Sequence, residues 1–427
     1  MEILEIHGGR ELFGEVRVSG SKNAALPMLF ATLITHGTSV LDNVPDISDV
    51  NDCIRILESF GATVRREGKR LFVDTETLSY ASPPKDAVCR IRASTYLIGA
   101  CLSRFGRAEI LNFGGCNFSD RPIDLHLQLA ELFGAKRVKD SLVATTLSAA
   151  HAVLNKISVG ATVNALLLAA SASGVSKITP YAREPHVLAL IDFLTSAGAE
   201  IEVGDTTLTV VGRRLKGGSA TVVGDMIEAG TYLAAGMLTG GAVTVSGVPS
   251  EQLLSFLEPL SRSGVRIEAS GEKITAIGLP VREINIETGP YPEFPTDLQP
   301  IIAPLIALGE GGKGTELFCG RDGELGRLGM VLEFTDGVGA LILRTVISGI
   351  NPVTFFDVFV DVPAQKILGG HGGSTVDDCT FGIGIAIFDG FGIKDVGVPF
   401  SYGSARGECN VAVDHCQSCR IGDLAVV

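Results

Sequence analysis

A short phrase recurs along this chain in which an apolar, helix-forming stretch ends in glycine and gives way to a strand-forming run. It reads Phe60-Gly61-Ala62-Thr63-Val64, Phe133-Gly134-Ala135-Lys136-Arg137-Val138, Ala197-Gly198-Ala199-Glu200-Ile201 and Ser263-Gly264-Val265-Arg266-Ile267. Fainter copies stand at Leu328-Gly329-Met330-Val331 and Phe391-Gly392-Ile393-Lys394. A spacing of roughly 65 to 75 residues is too long for a solenoid and suits one supersecondary unit repeated six times. Each glycine falls where a helix needs a left-handed closing residue, and the β-branched run after it reads as a strand. Upstream lie stretches such as Val163-Asn164-Ala165-Leu166-Leu167-Leu168-Ala169-Ala170 and Thr231-Tyr232-Leu233-Ala234-Ala235-Gly236-Met237-Leu238, apolar on nearly every side and so expected beneath sheets. Two groups of three units predict two similar α/β domains.

At 427 residues the chain exceeds one ordinary core, which agrees with two domains. A formal charge of −13 argues against nucleic acid or an anionic membrane as partner. An anionic substrate would therefore need Lys and Arg gathered locally. The segment Met1-Glu2-Ile3-Leu4-Glu5-Ile6 lacks the features of a signal peptide, and no apolar run reaches the length of a membrane span, so a cytoplasmic protein is expected. Nine scattered cysteines fit a reducing compartment better than a disulfide framework.

The cations gather at the far ends of the repeats. In Val18-Ser19-Gly20-Ser21-Lys22-Asn23, Ser21 is placed to cap a helix whose first turn presents Lys22 and Asn23, a combination suited to an anion. Cys89-Arg90-Ile91-Arg92-Ala93-Ser94 and Lys156-Ile157-Ser158-Val159-Gly160-Ala161-Thr162 repeat the theme. Each alone reads more simply as a solvated cation near a helix start; their recurrence at one point of successive repeats would gather them around one axis. Between them, Asn112-Phe113-Gly114-Gly115-Cys116 is followed five residues later by Arg121. A guanidinium beside a thiol favours the thiolate, so Cys116 is a candidate nucleophile or acid, although buried cysteines are commonly apolar fillers.

These motifs, together with Arg121-Pro122-Ile123-Asp124-Leu125-His126, Ala182-Arg183-Glu184-Pro185 and Phe294-Pro295-Thr296-Asp297-Leu298-Gln299, resemble the enolpyruvyl transferase (EPSP synthase-like) family in its UDP-N-acetylglucosamine 1-carboxyvinyltransferase branch. The resemblance runs from the N-terminus to about Gly329. It implies a two-domain inside-out α/β barrel, α/β (α+β) in class, with three βαβαββ-type repeats per domain and the active site in the cleft between them. The expected domains are 22–223, and 1–21 with 224–427, the latter carrying an atypical tail from about residue 395. It also implies transfer of an enolpyruvyl group from phosphoenolpyruvate to the 3-hydroxyl of UDP-N-acetylglucosamine, without a cofactor. Lys22, with Asn23 beside it, would bind phosphoenolpyruvate. Cys116 would protonate the enolpyruvyl methylene and be the residue alkylated by fosfomycin, and Arg121 would neutralise the phosphate. The stretch Arg121, Pro122, Ile123, Asp124 and Leu125 would cradle the UDP-sugar. Arg92 and Lys156, Ile157, Ser158 and Val159 would hold its nucleotide part. Asp297 would be the general base, with the helix N-cap as its plainer role, and Asp225 and Glu228 would make inter-domain or sugar contacts. A sister reaction on shikimate 3-phosphate is the alternative, disfavoured by Gly115-Cys116 and Arg121-Pro122, and a UDP-sugar-binding paralogue without turnover is another.

The last quarter departs from the family pattern. Where an Asp-Leu-Arg-Ala and an Arg-Gly-Tyr-Glu stretch are expected, the nearest matches are Val360-Asp361-Val362-Pro363-Ala364 and Phe381-Gly382-Ile383-Gly384, so two arginines of the phosphoenolpyruvate pocket are missing. A diverged paralogue, a degenerate enzyme or an altered reading frame would each produce this. The tail holds Cys409, His415, Cys416 and Cys419, whose C-x-x-C lacks the second pair of most zinc knuckles, so no metal is expected. Gly369-Gly370-His371-Gly372-Gly373 reads as a turn.

Overall fold

The computed structural model describes residues 10–111, 113–114, 123–282 and 284–308, and beyond these the strands 312–319, 325–334, 340–348, 354–361, 382–389 and 392–399. The chain forms two compact units, one of Met1–Leu279 with Thr288–Ile302, the other of Pro280–Glu287 with Ala303–Val427.

In the first unit the repeated phrase becomes a repeated structure. A strand leads into a helix, and the helix into a hairpin that returns beside the strand. Thr38–Asp42 is followed by the helix Ser48–Ser59 and the pair Thr63–Glu67 and Arg70–Asp74. The later copies run through the helices Asp124–Leu132, Pro185–Ser196 and Leu254–Arg262. In every copy the second hairpin strand lies antiparallel between its two partners. Three of the sheets take a further parallel strand from elsewhere in the chain, Ser219–Thr221, His151–Val153 and Phe13–Arg17.

Glycine makes the helix-to-strand turn, as the sequence predicts. Gly61, Gly134, Gly198 and Gly264 have φ of +94, +98, +100 and +103°, where a side chain is strained. The residue after each closes the helix with a six-to-one bond, for example Ala62 N to Leu57 O at 3.2 Å and Ala199 N to Leu194 O at 2.9 Å.

The apolar helices lie inside. Ala24 to Ala31 of Lys22–Ala31 and Ala161 to Ala170 of Val159–Ser171 are buried without exception, and Leu97 to Leu102 of Leu97–Phe105 likewise. One continuous core runs from Ala24 to Val222 around them. Some of the hydroxyls it encloses bond to backbone: Thr32 Oγ1 donates to Leu29 O at 2.7 Å, and Ser94 Oγ to Ile91 O at 2.6 Å.

The second unit differs from the expected repeats. Ile284–Glu287 pairs in parallel with Gly312–Cys319, which begins an antiparallel meander through Leu325–Phe334, Ala340–Ser348, Thr354–Asp361, Gly382–Asp389 and Gly392–Pro399. Gly329 lies within the second of these strands and Gly392 opens the last, so neither ends a helix. The reason is local: segments such as Ala340-Leu341-Ile342-Leu343-Arg344-Thr345-Val346-Ile347 are rich in β-branched residues and lack a helical stripe.

Gly198 is the clearest test of the turn, because an added Cβ there meets nothing within 4 Å and only the backbone resists. Gly198→Ala is expected to lower stability by about 1–2 kcal/mol, measured as a shifted urea midpoint at unchanged slope.

Candidate functional site

Two stretches of chain cross side by side below the first motif. Ser21 N donates to Val223 O at 2.7 Å, Asp225 N to Ser19 O at 2.9 Å, and Gly20 bridges Gly224. Glu228, on the helix Met226–Leu238, accepts from Ser19 N at 2.9 Å and from its hydroxyl. Asp225 caps that helix, accepting from Ile227 N at 2.8 Å and Glu228 N at 3.1 Å. Both acids expected to face sugar or domain boundary are thus committed to this crossing. Ser21 does stand at the N-cap of Lys22–Ala31, but its side chain makes no capping bond; its carbonyl accepts from Ala24 and Ala25 instead.

The crossing presents Lys22 and Asn23 at the helix start. Lys22 Nζ lies 3.2 Å from Asp49 Oδ2, a half-exposed pair that a bound anion could replace at little cost. Asn23 Nδ2 donates to Asp297 Oδ2 at 3.3 Å, joining motifs 274 residues apart. Asp297 belongs to the turn Thr296–Leu298 after Pro295 and is exposed, so its carboxylate is held from one side and open on the other.

Glu184 is the neighbour the sequence did not single out. Burial raises its proton affinity, the backbone N–H groups of Glu184 and Tyr291 oppose this, and the Asp297 carboxylate adds to the rise. One of its carboxyl oxygens, Oε2, is buried without a hydrogen-bond partner among the described residues. The sequence carries it inside the motif Ala182-Arg183-Glu184-Pro185, without a role of its own, just before Pro185 opens the helix Pro185–Ser196. Glu184 also acts on Tyr96, whose hydroxyl is pushed up to about 12, chiefly by burial, with Arg92 opposing and Glu184 reinforcing.

Around Arg92 lie the expected nucleotide-binding residues. Arg92 begins the turn Arg92–Tyr96, and Ser158 caps Val159–Ser171 by accepting from Ala161 N at 3.3 Å. Asn164 ties these elements together: Nδ2 meets His126 Nδ1 at 2.8 Å and Thr95 O at 3.1 Å, while Oδ1 accepts from Gly99 N at 2.7 Å. An amide N–H can only donate, so His126 Nδ1 accepts and its proton sits on Nε2. His126 follows Ile123, Asp124 and Leu125, and a Cβ on Gly160 would come within 3.0 Å of its ring. Its pKa falls to about 4, mainly through burial and secondly through the Arg92 cation. Lys156 and Ile157 are exposed on the approach to Ser158.

Cys116, Arg121 and Pro122 lie outside the described residues. The base of their loop does not: Gly114 N donates to Val88 O at 3.1 Å, and a Cβ there would fall 2.1 Å from Cys89 O, so only glycine fits. That platform is the helix Lys85–Arg90, where Arg90 bonds both oxygens of Asp52 at 2.7 Å. This holds the Asp52 carboxyl below its usual range, Arg90 being the main cause. Cys409, His415, Cys416 and Cys419, and the 369–373 turn, also lie outside the described residues. Among the described residues no group of His, Cys, Asp and Glu is arranged for a metal, and no helix is long and apolar enough to cross a membrane.

Residues 6–313 match the family model described as EPSP synthase (3-phosphoshikimate 1-carboxyvinyltransferase). The chain belongs to the EPSP synthase family. Among relatives, it is 40% identical over 319 residues to UDP-N-acetylglucosamine 1-carboxyvinyltransferase 3 of Caldanaerobacter subterraneus, covering 73% of this chain and 76% of that one. It is 39% identical over 356 residues to the UDP-N-acetylglucosamine 1-carboxyvinyltransferase of Chlorobium phaeovibrioides, covering 79% and 83%. Among solved structures, the enolpyruvyl transferase NikO from Streptomyces tendae matches with a TM-score of 0.65 at 27% identity over 73% of this chain and 76% of that one. An EPSP synthase from Acinetobacter baumannii, at TM-score 0.52 and 16% identity over 73% and 74%, shares the fold.

The His126 environment makes a signed prediction. A neutral folded imidazole leaves the unfolded chain to take up the proton, so stability falls as pH drops from 6.5 towards 4. His126→Gln is expected to remove about 3 kcal/mol of that acid dependence, checked by urea unfolding of both proteins across that range.

Proposed function

We propose that this EPSP synthase family member transfers the enolpyruvyl group of phosphoenolpyruvate to the 3-hydroxyl of UDP-N-acetylglucosamine and releases phosphate. In that role it serves peptidoglycan synthesis in the cytoplasm, with both substrates as its small-molecule partners. The observation that carries the reading is the Asn23–Asp297 contact at 3.3 Å, which joins the anion-binding helix start to a carboxylate suited to deprotonating a hydroxyl. The names of the relatives favour UDP-N-acetylglucosamine over shikimate 3-phosphate as acceptor.

The residues then take the following parts. Lys22 and Arg121 hold the phosphate of phosphoenolpyruvate, and Cys116 delivers a proton to its methylene carbon. Asp297 removes the proton of the sugar hydroxyl as its oxygen bonds the adjacent carbon. Asn23 donates to one carboxylate oxygen of Asp297, which leaves the other for the hydroxyl. In the second half, the carbon–oxygen bond to phosphate breaks while a proton leaves the new methyl group, restoring the double bond. Arg92, Ile123, Asp124, Leu125, Lys156, Ile157, Ser158 and Val159 hold the UDP portion, with Pro122 shaping the loop. The division into 22–223 and 1–21 with 224–427 is part of the same proposal, supported by the core that runs from Ala24 to Val222 and by the paired crossing at Ser19–Ser21 and Val223–Asp225.

A second reading is a protein that binds the UDP-sugar without turning it over. It is favoured by the family match ending at residue 313 and by the absence of arginine from Val360–Ala364 and Phe381–Gly384.

Phosphate release from phosphoenolpyruvate separates the readings. Release with UDP-N-acetylglucosamine and none with shikimate 3-phosphate is expected; binding of the UDP-sugar without release establishes the second reading. Asp297→Ala is expected to retain UDP-sugar binding and to lower turnover by about a hundredfold or more, whereas lost binding in calorimetry makes Asp297 an anchor instead. Cys116→Ser is expected to abolish covalent labelling by fosfomycin, followed by intact mass; a persisting adduct removes Cys116 from the acid role.

A further inference from the structure

At the opposite end of two core helices, a cleft of about 360 Å³ opens where Leu97–Phe105 and Val159–Ser171 terminate against the paired strands Thr35–His36 and Leu215–Lys216. The 13 residues of the longer helix separate this end from the Ser158 cap by about 20 Å, so the cleft is distinct from the site above. Its lining is basic: Arg104, Arg213, Arg214 and His36, with Ser103, Ser171 and Ser173, and no Asp or Glu. A recess of about 510 Å³ beside it shares His36, Arg214 and Leu215 and adds Lys216 and one acid, Glu76.

Two of the three arginines have structural employment. Arg213 is engaged by Glu200. Arg104 donates to Thr35 O and Thr75 O, both at 2.7 Å, and to His36 Nδ1 at 3.1 Å, as suits a cation at a helix C-terminus. Since a guanidinium only donates, His36 Nδ1 accepts and its Nε2 carries the proton. Arg214 has no such employment: among the described residues it makes no hydrogen bond and no ion pair. Its charge reaches the others nonetheless. His36 is lowered by burial and then by Arg104 and Arg214, and Arg104 by burial, with Glu76 opposing and Arg214 reinforcing. Like charges are thus held together in a chain whose formal charge is −13, an arrangement that costs stability unless an anion completes it.

We propose that this cleft binds a compact phosphate- or pyrophosphate-bearing molecule, with Arg214 and His36 supplying donors to its oxygens and the serine hydroxyls completing the shell. The volume is at the small end of ligand sites, and no Phe, Tyr or Trp lines it to stack on a base. The ligand is therefore recognised by its anion, as in inorganic pyrophosphate or a sugar phosphate.

The test is calorimetric titration of the full chain with inorganic pyrophosphate, and in parallel with a sugar phosphate, at fixed ionic strength. Wild type is compared with Arg214→Glu, Arg214→Ala and Lys22→Ala. Expected is a class of sites weakened by about tenfold or more in Arg214→Glu, weakened less in Arg214→Ala, and unchanged in Lys22→Ala. Equal melting temperatures for wild type and Arg214→Ala would show that the fold is intact. Affinity for both anions unaltered in both Arg214 variants, or binding abolished by Lys22→Ala, would overturn the proposal.

Discussion

Helices without a polar face set the terms for this molecule. Lys22–Ala31, Leu97–Phe105 and Val159–Ser171 expose almost no side that water could cover, so neighbouring helices and sheets must enclose them laterally. What remains accessible is their ends. The N-terminal ends carry Lys22 and Asn23, the Arg92 turn and the Ser158 cap, because a buried helix still has free N–H groups to satisfy there. Chemistry at the ends is thus a consequence of burial along the length.

Electrostatic neighbours then connect these ends. Arg92 acts on Tyr96 and His126, Glu184 on Tyr96, and Asp297 on Glu184 while bonded to Asn23. Two carboxyl groups thus share one neighbourhood, Glu184 buried and drawn towards its protonated form and Asp297 exposed and oriented by an amide. The Asp52–Arg90 pair contributes at one remove, by fixing the short helix on which the Gly114 backbone rests.

Much of this was legible in the residues. The four glycine turns were visible because a left-handed closing residue leaves a local signature, and Lys22, Asn23 and Asp297 because their motifs are contiguous. Glu184 and Asn164 were harder to see. Their importance comes from partners in other elements, Tyr291 and Asp297 for one, His126, Thr95 and Gly99 for the other, and no spacing along the chain encodes those meetings. The last two glycine phrases misled for the converse reason: a Gly beside apolar residues suits a strand as well as the end of a helix, and Gly329 lies inside a strand while Gly392 opens one.

The crossing at Ser19–Ser21 and Val223–Asp225 has a topological corollary. Because both connections lie within hydrogen-bond reach, the chain at Ser21 and the chain at Val223 stand side by side, although some two hundred residues separate them in sequence. Ligating the two ends of the stretch between them with a short linker would need no rearrangement, and new termini could be opened in a surface turn.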